Sequence, residues 1–248
     1  MQHLPGDAFG GDSVTTTTPE GKPCVYRWDE SLFWNVYYIK GAFLDADKAF
    51  EVINGMRTVE VRVLLKSINT LVLARALAAH PAINVQCSAV EGNENYALRE
   101  RLMYLGLPAP LFTIDLDTEM GRRISRHAFQ RFFDCLEPAF GLQVTLGQVN
   151  TVVVCPALTS HSELSDDALR EAGISLTTIR IAVGDEDPRG LLAHLMQAAE
   201  LALEPECPGF SRHFGQPHEI DALYESIYVD VHRRYAASRP RMQQMLSS

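Results

Sequence analysis

Thr178-Ile179-Arg180-Ile181-Ala182-Val183-Gly184-Asp185-Glu186-Asp187-Pro188 reads as a strand that runs through an acidic turn into a helix. The short apolar run rich in β-branched residues predicts the strand. Asp187 suits a helix cap and Pro188 the first helical position. One cation stands inside the apolar run. Arg180 has apolar neighbours on both sides, and an inward-facing guanidinium left unpaired carries a large penalty. Its planar five-donor fork fits a carboxylate bidentately. The stretch therefore predicts a clamp for a small acid, with an ion pair to Asp185 or Glu186 as the competing structural role.

Outward from this stretch, strand and helix signals alternate. Gln143–Thr145 and Thr151–Cys155 are apolar strand segments broken by a turn at Leu146-Gly147-Gln148. Upstream lie a helix with Phe129, Phe132, Phe133 and Leu136 on one face, stopped by Pro138, strands at Ile83–Ala89 and Leu111–Leu116, and a helix at Tyr96–Leu105. Val61, Leu64, Leu65, Ile68, Val72 and Ala76 recur at helical intervals in a long helix from about Val59 to Ala79. A helix over Asp45–Asn54 is expected to close at Gly55. Ser13–Thr17 and Pro23–Arg27 read as a hairpin turning at Glu20-Gly21. Ser165 is a helix cap, followed by Asp166 and Asp167 in the first turn and by Gly173 as the stop. This order predicts an α/β or α+β sandwich of two layers, a small sheet with helices packed on it. Past Pro205, a Pro/Gly-rich link leads to one amphipathic helix, Glu219–Ala236. Its stripe of Ile220, Leu223, Ile227 and Val231 must dock on the main body or on a partner.

The 248 residues suffice for a sizeable core, and 46% hydrophobic with 21% charged residues is ordinary for a soluble globular protein. A net charge of −9 argues against a general nucleic-acid or anionic-membrane surface. Cys24, Cys87, Cys135, Cys155 and Cys207 are odd in number and form no C-x-x-C pair, which reads as reduced thiols. The opening residues show no signal-peptide pattern and no apolar run reaches membrane-spanning length, so a cytoplasmic protein is expected.

The other conspicuous residues have structural readings. Asp185-Glu186-Asp187 caps a helix, and no acidic or histidine cluster has metal-ligand spacing. Ser160 and His161 are adjacent, so on a strand they face opposite ways and cannot share a proton. Thr159 or Ser160 is a candidate for shaping a pocket. Cys87 and Cys155 are small core residues. Arg57 and Arg62 are helix-surface ion-pair residues. Tyr37 and Tyr38 line a site mouth or belong to core or interface.

Several stations resemble, in order, the C-terminal half of the Cys/Met-metabolism pyridoxal-phosphate enzymes, such as cystathionine γ-synthase, cystathionine γ-lyase and O-acetylhomoserine sulfhydrylase. Phe9-Gly10-Gly11 looks like the Leu-Gly-Gly that follows the family's cofactor lysine. Asn54-Gly55-Met56-Arg57-Thr58-Val59-Glu60-Val61-Arg62 looks like its R-G-L-x-T-L-x-x-R helix. Ala78-Ala79-His80-Pro81-Ala82-Ile83 is similar to x-x-H-P-x-V, Thr145-Leu146-Gly147 to S-L-G, and Pro156-Ala157-Leu158-Thr159-Ser160-His161 to P-A-x-x-T-H. Ile179 to Asp187 resembles I-R-L-S-V-G-I-E-D.

The resemblance implies the small C-terminal domain of a fold-type I pyridoxal-phosphate enzyme. In that setting Arg180 grips the substrate α-carboxylate, assisted by Thr145 and Leu146, while the cofactor lysine comes from a large domain. None of Lys22, Lys40, Lys48 or Lys66 lies in the family's S-x-T-K context. Residues 1–44 are expected to lead from such a large domain, 45–204 to form the small domain, and 205–248 to add a helical tail. Three roles are open. The chain is one polypeptide of a split enzyme acting on a sulfur-related amino acid, with pyridoxal phosphate bound only in the completed enzyme. Or it is a non-catalytic amino-acid-binding or regulatory module, or a fragment without a role of its own. Partners implied are a large-domain chain, a second copy in a homo-oligomer, and a small amino-acid substrate.

Overall fold

The computed structural model describes residues 13–27, 37–41, 43–116 and 124–239, which form two compact units, Met1–Thr58 and Val59–Ser248. The Phe9-Gly10-Gly11 station lies outside the described residues. In the first unit, β1 (Ser13–Thr17) and β2 (Pro23–Arg27) pair antiparallel, with Ser13 opposite Arg27. The hairpin turns where expected: Gly21, at φ +77°, donates to the Thr18 carbonyl at 2.8 Å. Helix α1 covers Ala46–Arg57, and the Asp45 carboxylate accepts from the Lys48 amide at 2.8 Å. It passes through Gly55 and ends at Thr58, because glycine in a helix carries only about a 1 kcal/mol penalty and does not force a stop.

The second unit is built around α2 (Val59–Ala78). From Leu64 to Ala74 this helix is buried on nearly every side, which explains why its apolar residues run all round instead of along one stripe. A five-stranded sheet has the order β3 (Ile83–Gln86), β4 (Leu111–Leu116), β7 (Thr178–Ala182), β6 (Val152–Val154), β5 (Gly141–Leu142). The β5–β6 pair is parallel and the others are antiparallel. β5 is thus two residues upstream of the predicted Gln143–Thr145 strand, which is instead irregular.

Register sorts the strands into two faces. Ile83, Val85, Phe112, Ile114, Leu116, Val153, Ile179 and Ile181 join the core beneath the helices. Thr113, Arg180 and Val154 lie in one row across the opposite face. Helix α3 (Tyr96–Leu102) precedes β4. α4 (Arg126–Asp134) buries Phe129, Phe132 and Phe133 and stops at Cys135, ahead of Pro138. α5 (Asp166–Glu171) starts under a Ser165 cap, and α6 (Pro188–Ala202) under Asp187, whose carboxyl the Arg189 guanidinium holds below the usual range. The sheet with helices packed on it is the two-layer arrangement expected.

The tail helix α7 (Pro217–Ser238) packs on α2 and α6 of its own chain. Ile227 and Val231 are buried, each stabilising the contact by about 1.5–3 kcal/mol. Polar contacts frame that stripe. Arg189 bonds Asp221 at 3.2 Å and lies over the Tyr224 ring, while Arg239 meets Glu60 at 2.6 Å. Beside the Phe210–Phe214 segment that leads into α7, buried His80 accepts from the Ala82 amide at Nδ1 (3.1 Å), so its Nε2 carries the proton and donates to the Phe210 carbonyl (2.9 Å). Burial, opposed by that Phe210 bond, lowers the affinity of His80 for a second proton.

Candidate functional site

Arg180 occupies the middle of β7, on the face away from the core helices, and is half-buried. Beyond the strand, residues 143–150 fold over as an irregular turn with Gly147 at φ +77°. The guanidinium reaches this turn: Arg180 Nη2 donates to the Thr145 carbonyl at 3.3 Å. Thr145 and Arg180, paired by the sequence reading, are therefore in contact. Leu146 follows with its side chain about half exposed.

The ion pair of Arg180 with Asp185 or Glu186, the alternative to the clamp, is not made by the described residues. Among the described residues no carboxylate lies within salt-bridge distance of Arg180. Glu186 is committed elsewhere: it accepts from the Thr151 amide at 2.6 Å and from the Thr151 hydroxyl at 2.8 Å. The Gly184 amide donates to Thr151 Oγ1 at 2.9 Å, and Asn69 Nδ2 donates to the carbonyls of Gly184 and Glu186. Gly184 has no room for a side chain, since a Cβ would overlap backbone atoms of Asn150 and Thr151. So Glu186 belongs to a network that locks the 143–151 segment to the β7–α6 corner, a role the capping interpretation missed.

Arg180 Nε is consequently buried with no hydrogen-bond partner. A buried donor of a charged group without an acceptor costs about 1–3 kcal/mol or more. The fork is held on one side by the neutral Thr145 carbonyl, and its Nε has no hydrogen-bond partner.

A second cation serves the same turn. Lys66, buried on α2, donates its ammonium to the Gln148 carbonyl, and the Asp185 amide donates to the Val149 carbonyl at 2.9 Å. The sequence signal for Lys66 was the polar run Lys66-Ser67 and Asn69-Thr70 inside an otherwise apolar helix. Each of these polar residues meets backbone carbonyls: Ser67 Oγ donates to Pro108 at 2.9 Å and Thr70 Oγ1 to Lys66 at 2.7 Å.

Other candidates fall elsewhere. Ser160 and His161 sit in a turn, not a strand, and their Oγ and Nδ1 lie 2.8 Å apart, contrary to the expectation that they cannot share a proton. Both are exposed. Thr159 donates to the Cys155 carbonyl at 2.8 Å. Cys87 and Cys155 are buried, which pushes both thiols up. Arg57 bonds the Asn54 side chain at 3.3 Å. A concavity of about 660 Å³ near Asp115, Phe129 and Ser175 does not include Arg180, Thr145 or Leu146 in its lining. Among the described residues, no helix is long and apolar enough to cross a membrane.

The lysines do not form a cofactor site either. Lys66 is committed to the Gln148 carbonyl, Lys48 pairs with Glu51 at 3.0 Å, and Lys22 and Lys40 are exposed. These residues do not fit the covalent attachment of a pyridoxal cofactor.

Residues 22–200 match the model of the Cys/Met metabolism PLP-dependent enzymes. Among curated proteins, the chain is 28% identical over 154 residues to homocysteine synthase of Schizosaccharomyces pombe, covering 62% of this chain and 34% of that protein. It is 31% identical over 161 residues to L-methionine gamma-lyase of Pseudomonas deceptionensis, covering 64% and 38%. Among solved structures, an O-acetylhomoserine (thiol)-lyase of Campylobacter jejuni carrying a pyridoxyl-lysine monophosphate superposes with a TM-score of 0.59 at 27% identity, over 69% of this chain and 39% of that one. The chain thus spans between a third and two-fifths of the length of these relatives. On its fold, its ordered motifs and this match, the chain belongs to the Cys/Met metabolism PLP-dependent enzyme family.

Proposed function

We propose that this chain is the substrate-gripping half of a pyridoxal-phosphate-dependent enzyme of transsulfuration or sulfhydrylation, completed by a separate large-domain chain that carries the cofactor lysine. The observation behind the reading is the half-answered fork of Arg180, buried at Nε and facing no carboxylate among the described residues. An α-carboxylate takes up Nε and the adjacent Nη, a pair of charge-assisted bonds. The Thr145 carbonyl keeps the guanidinium plane turned toward that carboxylate, and Leu146 supplies an apolar wall beside it. Lys66 holds the turn from below. This chain's contribution is then binding and orientation. The relatives are named for homocysteine, methionine and O-acetylhomoserine, amino acids that each bear such a carboxylate.

The test is reconstitution. The purified chain is mixed with a lysine-bearing large-domain polypeptide, and the visible absorbance of protein-bound cofactor and turnover of an O-acyl-homoserine or methionine are followed. Arg180→Met should raise KM while leaving the absorbance intact. Absence of both complex and absorbance sinks the reading.

A second reading, a non-catalytic amino-acid-binding or regulatory module, draws support from α7, which lies beyond the matched residues 22–200 and is firmly docked. Calorimetry with methionine and homoserine esters on the chain alone separates the two. Binding without a partner favours the module.

A further inference from the structure

Between Gln143 and Thr151 the turn over Arg180 is tied to the body through carbonyls alone. Among the described residues no backbone amide from Val144 to Asn150 has an acceptor, and Val144, Leu146 and Val149 take no part in the buried core. Three carbonyls hold it: Thr145 accepts from Arg180 at 3.3 Å, Gln148 from the Lys66 ammonium, and Val149 from the Asp185 amide at 2.9 Å. The Arg180 bond is long and therefore weak, so the other two decide where the turn lies. Of these, the ammonium bond is charge-assisted and roughly twice as strong as a neutral one. Lys66 is nevertheless an expensive anchor. Its side chain is buried, and among the described residues no carboxylate pairs with it. A buried ammonium facing a neutral carbonyl costs stability. One turn further along the same face of α2, Asn69 donates to the carbonyls of Gly184 at 3.1 Å and Glu186 at 2.8 Å. One helical face thus holds both the turn and the β7–α6 corner.

We infer that Lys66 is a positioning residue for substrate binding: through the Gln148 carbonyl its ammonium places the turn whose Thr145 carbonyl orients the Arg180 guanidinium toward a carboxylate. The inference rests on the carboxylate-clamp reading above. It separates Lys66 from its polar neighbours on α2. The Ser67 and Thr70 hydroxyls donate to the carbonyls of Pro108 and Lys66, both outside the turn, and so serve the fold alone. Lys66 does the reverse, holding the turn at a cost to the fold. The two kinds of residue should therefore respond oppositely to removal of the side-chain donor.

The experiment compares the full-length wild type with Lys66→Met and Ser67→Ala. Urea midpoints report the fold, and native-state hydrogen exchange of the Asp185 amide, followed by NMR, reports how firmly the turn is held. Methionine keeps an unbranched, adaptable stem in the lysine's place. Lys66→Met should unfold at a midpoint no lower than the wild type's, while its Asp185 amide exchanges roughly tenfold faster. Ser67→Ala should lower the midpoint and leave that exchange rate as it is. In the enzyme reconstituted with a lysine-bearing large-domain polypeptide, Lys66→Met should raise KM for an O-acyl-homoserine roughly tenfold with kcat nearly unchanged, the pattern of weakened uniform binding. Exchange of the Asp185 amide at the wild-type rate overturns the positioning role and leaves the split enzyme standing. A Lys66→Met midpoint well below the wild type's makes Lys66 a structural residue and overturns the inference as well, as does a fall in kcat with KM unmoved. Absence of any complex overturns the role in substrate binding together with the split enzyme.

Discussion

Replacing Arg180 by methionine should leave the fold as stable as before or make it more so, while destroying its affinity for carboxylates. The native side chain makes one hydrogen bond to a neutral carbonyl, at 3.3 Å. Losing such a bond costs about 1 kcal/mol. Against this stands the buried Nε with no acceptor, whose removal relieves about 1–3 kcal/mol. Methionine is unbranched and adaptable, so it fills the channel of the arginine stem without a large void. The balance is roughly 0–2 kcal/mol in favour of the variant, or up to about 8 °C in Tm at about 2–4 °C per kcal/mol for a chain of this size. Urea unfolding followed by circular dichroism reads this as a higher midpoint with unchanged slope. Binding of an amino-acid carboxylate in the completed enzyme should weaken by about 2–5 kcal/mol, as when one partner of a hydrogen-bonded charge pair is removed. A variant destabilised by more than about 2 kcal/mol would refute the reasoning, because the guanidinium would then be answering an acid within the chain.

Gly184→Ala should lower stability by about 3 kcal/mol, since its Cβ would meet the backbone of Asn150 and Thr151, whereas Gly190→Ala on open α6 should change it by less than about 1 kcal/mol; thermal melts compare the two. Ile227→Ala should cost about 2–4 kcal/mol by opening a cavity between α7 and α2, read from denaturant midpoints. Stability should fall in two steps on acidification. His80 stays neutral in the fold, so unfolded chains take up its proton first and stability declines as pH drops below 6.5; His80→Gln should flatten that step. Glu204, held down to about 2 by the amides of Ser211 and Gly209 and the Ser211 hydroxyl, is stabilising above 4.5 and loses that contribution between 4.5 and about 2.

Local chemistry made much of this legible. β7 and α6 follow from a β-branched run, an aspartate cap and a proline at the first helical position, signals that act within a few residues of themselves. The hairpin at Ser13–Arg27 is of the same kind. What escaped depends on distant partners. Glu186 looked like capping charge because Thr151, which it binds, is 35 residues away. Lys66 drew attention only as a scarce lysine, since its acceptor at Gln148 is 82 residues off. The Gln143–Thr145 segment has strand-like composition, yet carbonyl bonds from Arg180, Lys66 and Asp185 pull the 145–149 turn away from the sheet. Ser160 and His161 meet because a turn, not a strand, carries them. Arg180 itself was identified correctly as a lone cation in an apolar strand, but its unpaired state could be seen only once both nearby acids had been placed.

The contact between Arg239 and Glu60 joins the last described turn of α7 to the first turn of α2. The described part of the second unit is therefore closed on itself: residues 60 and 239 lie within the reach of two side chains, a gap that about four to six linker residues would span. Chain order then becomes separable from fold, as in domains that tolerate circular permutation. A gene that encodes residues 59–239 alone, opened in the exposed loop at Glu91–Asn95 with residue 239 joined to residue 59, retains every pairing of the five-stranded sheet and the Arg180 site. The same closure means that anything fused after Arg239 begins its path beside the start of α2.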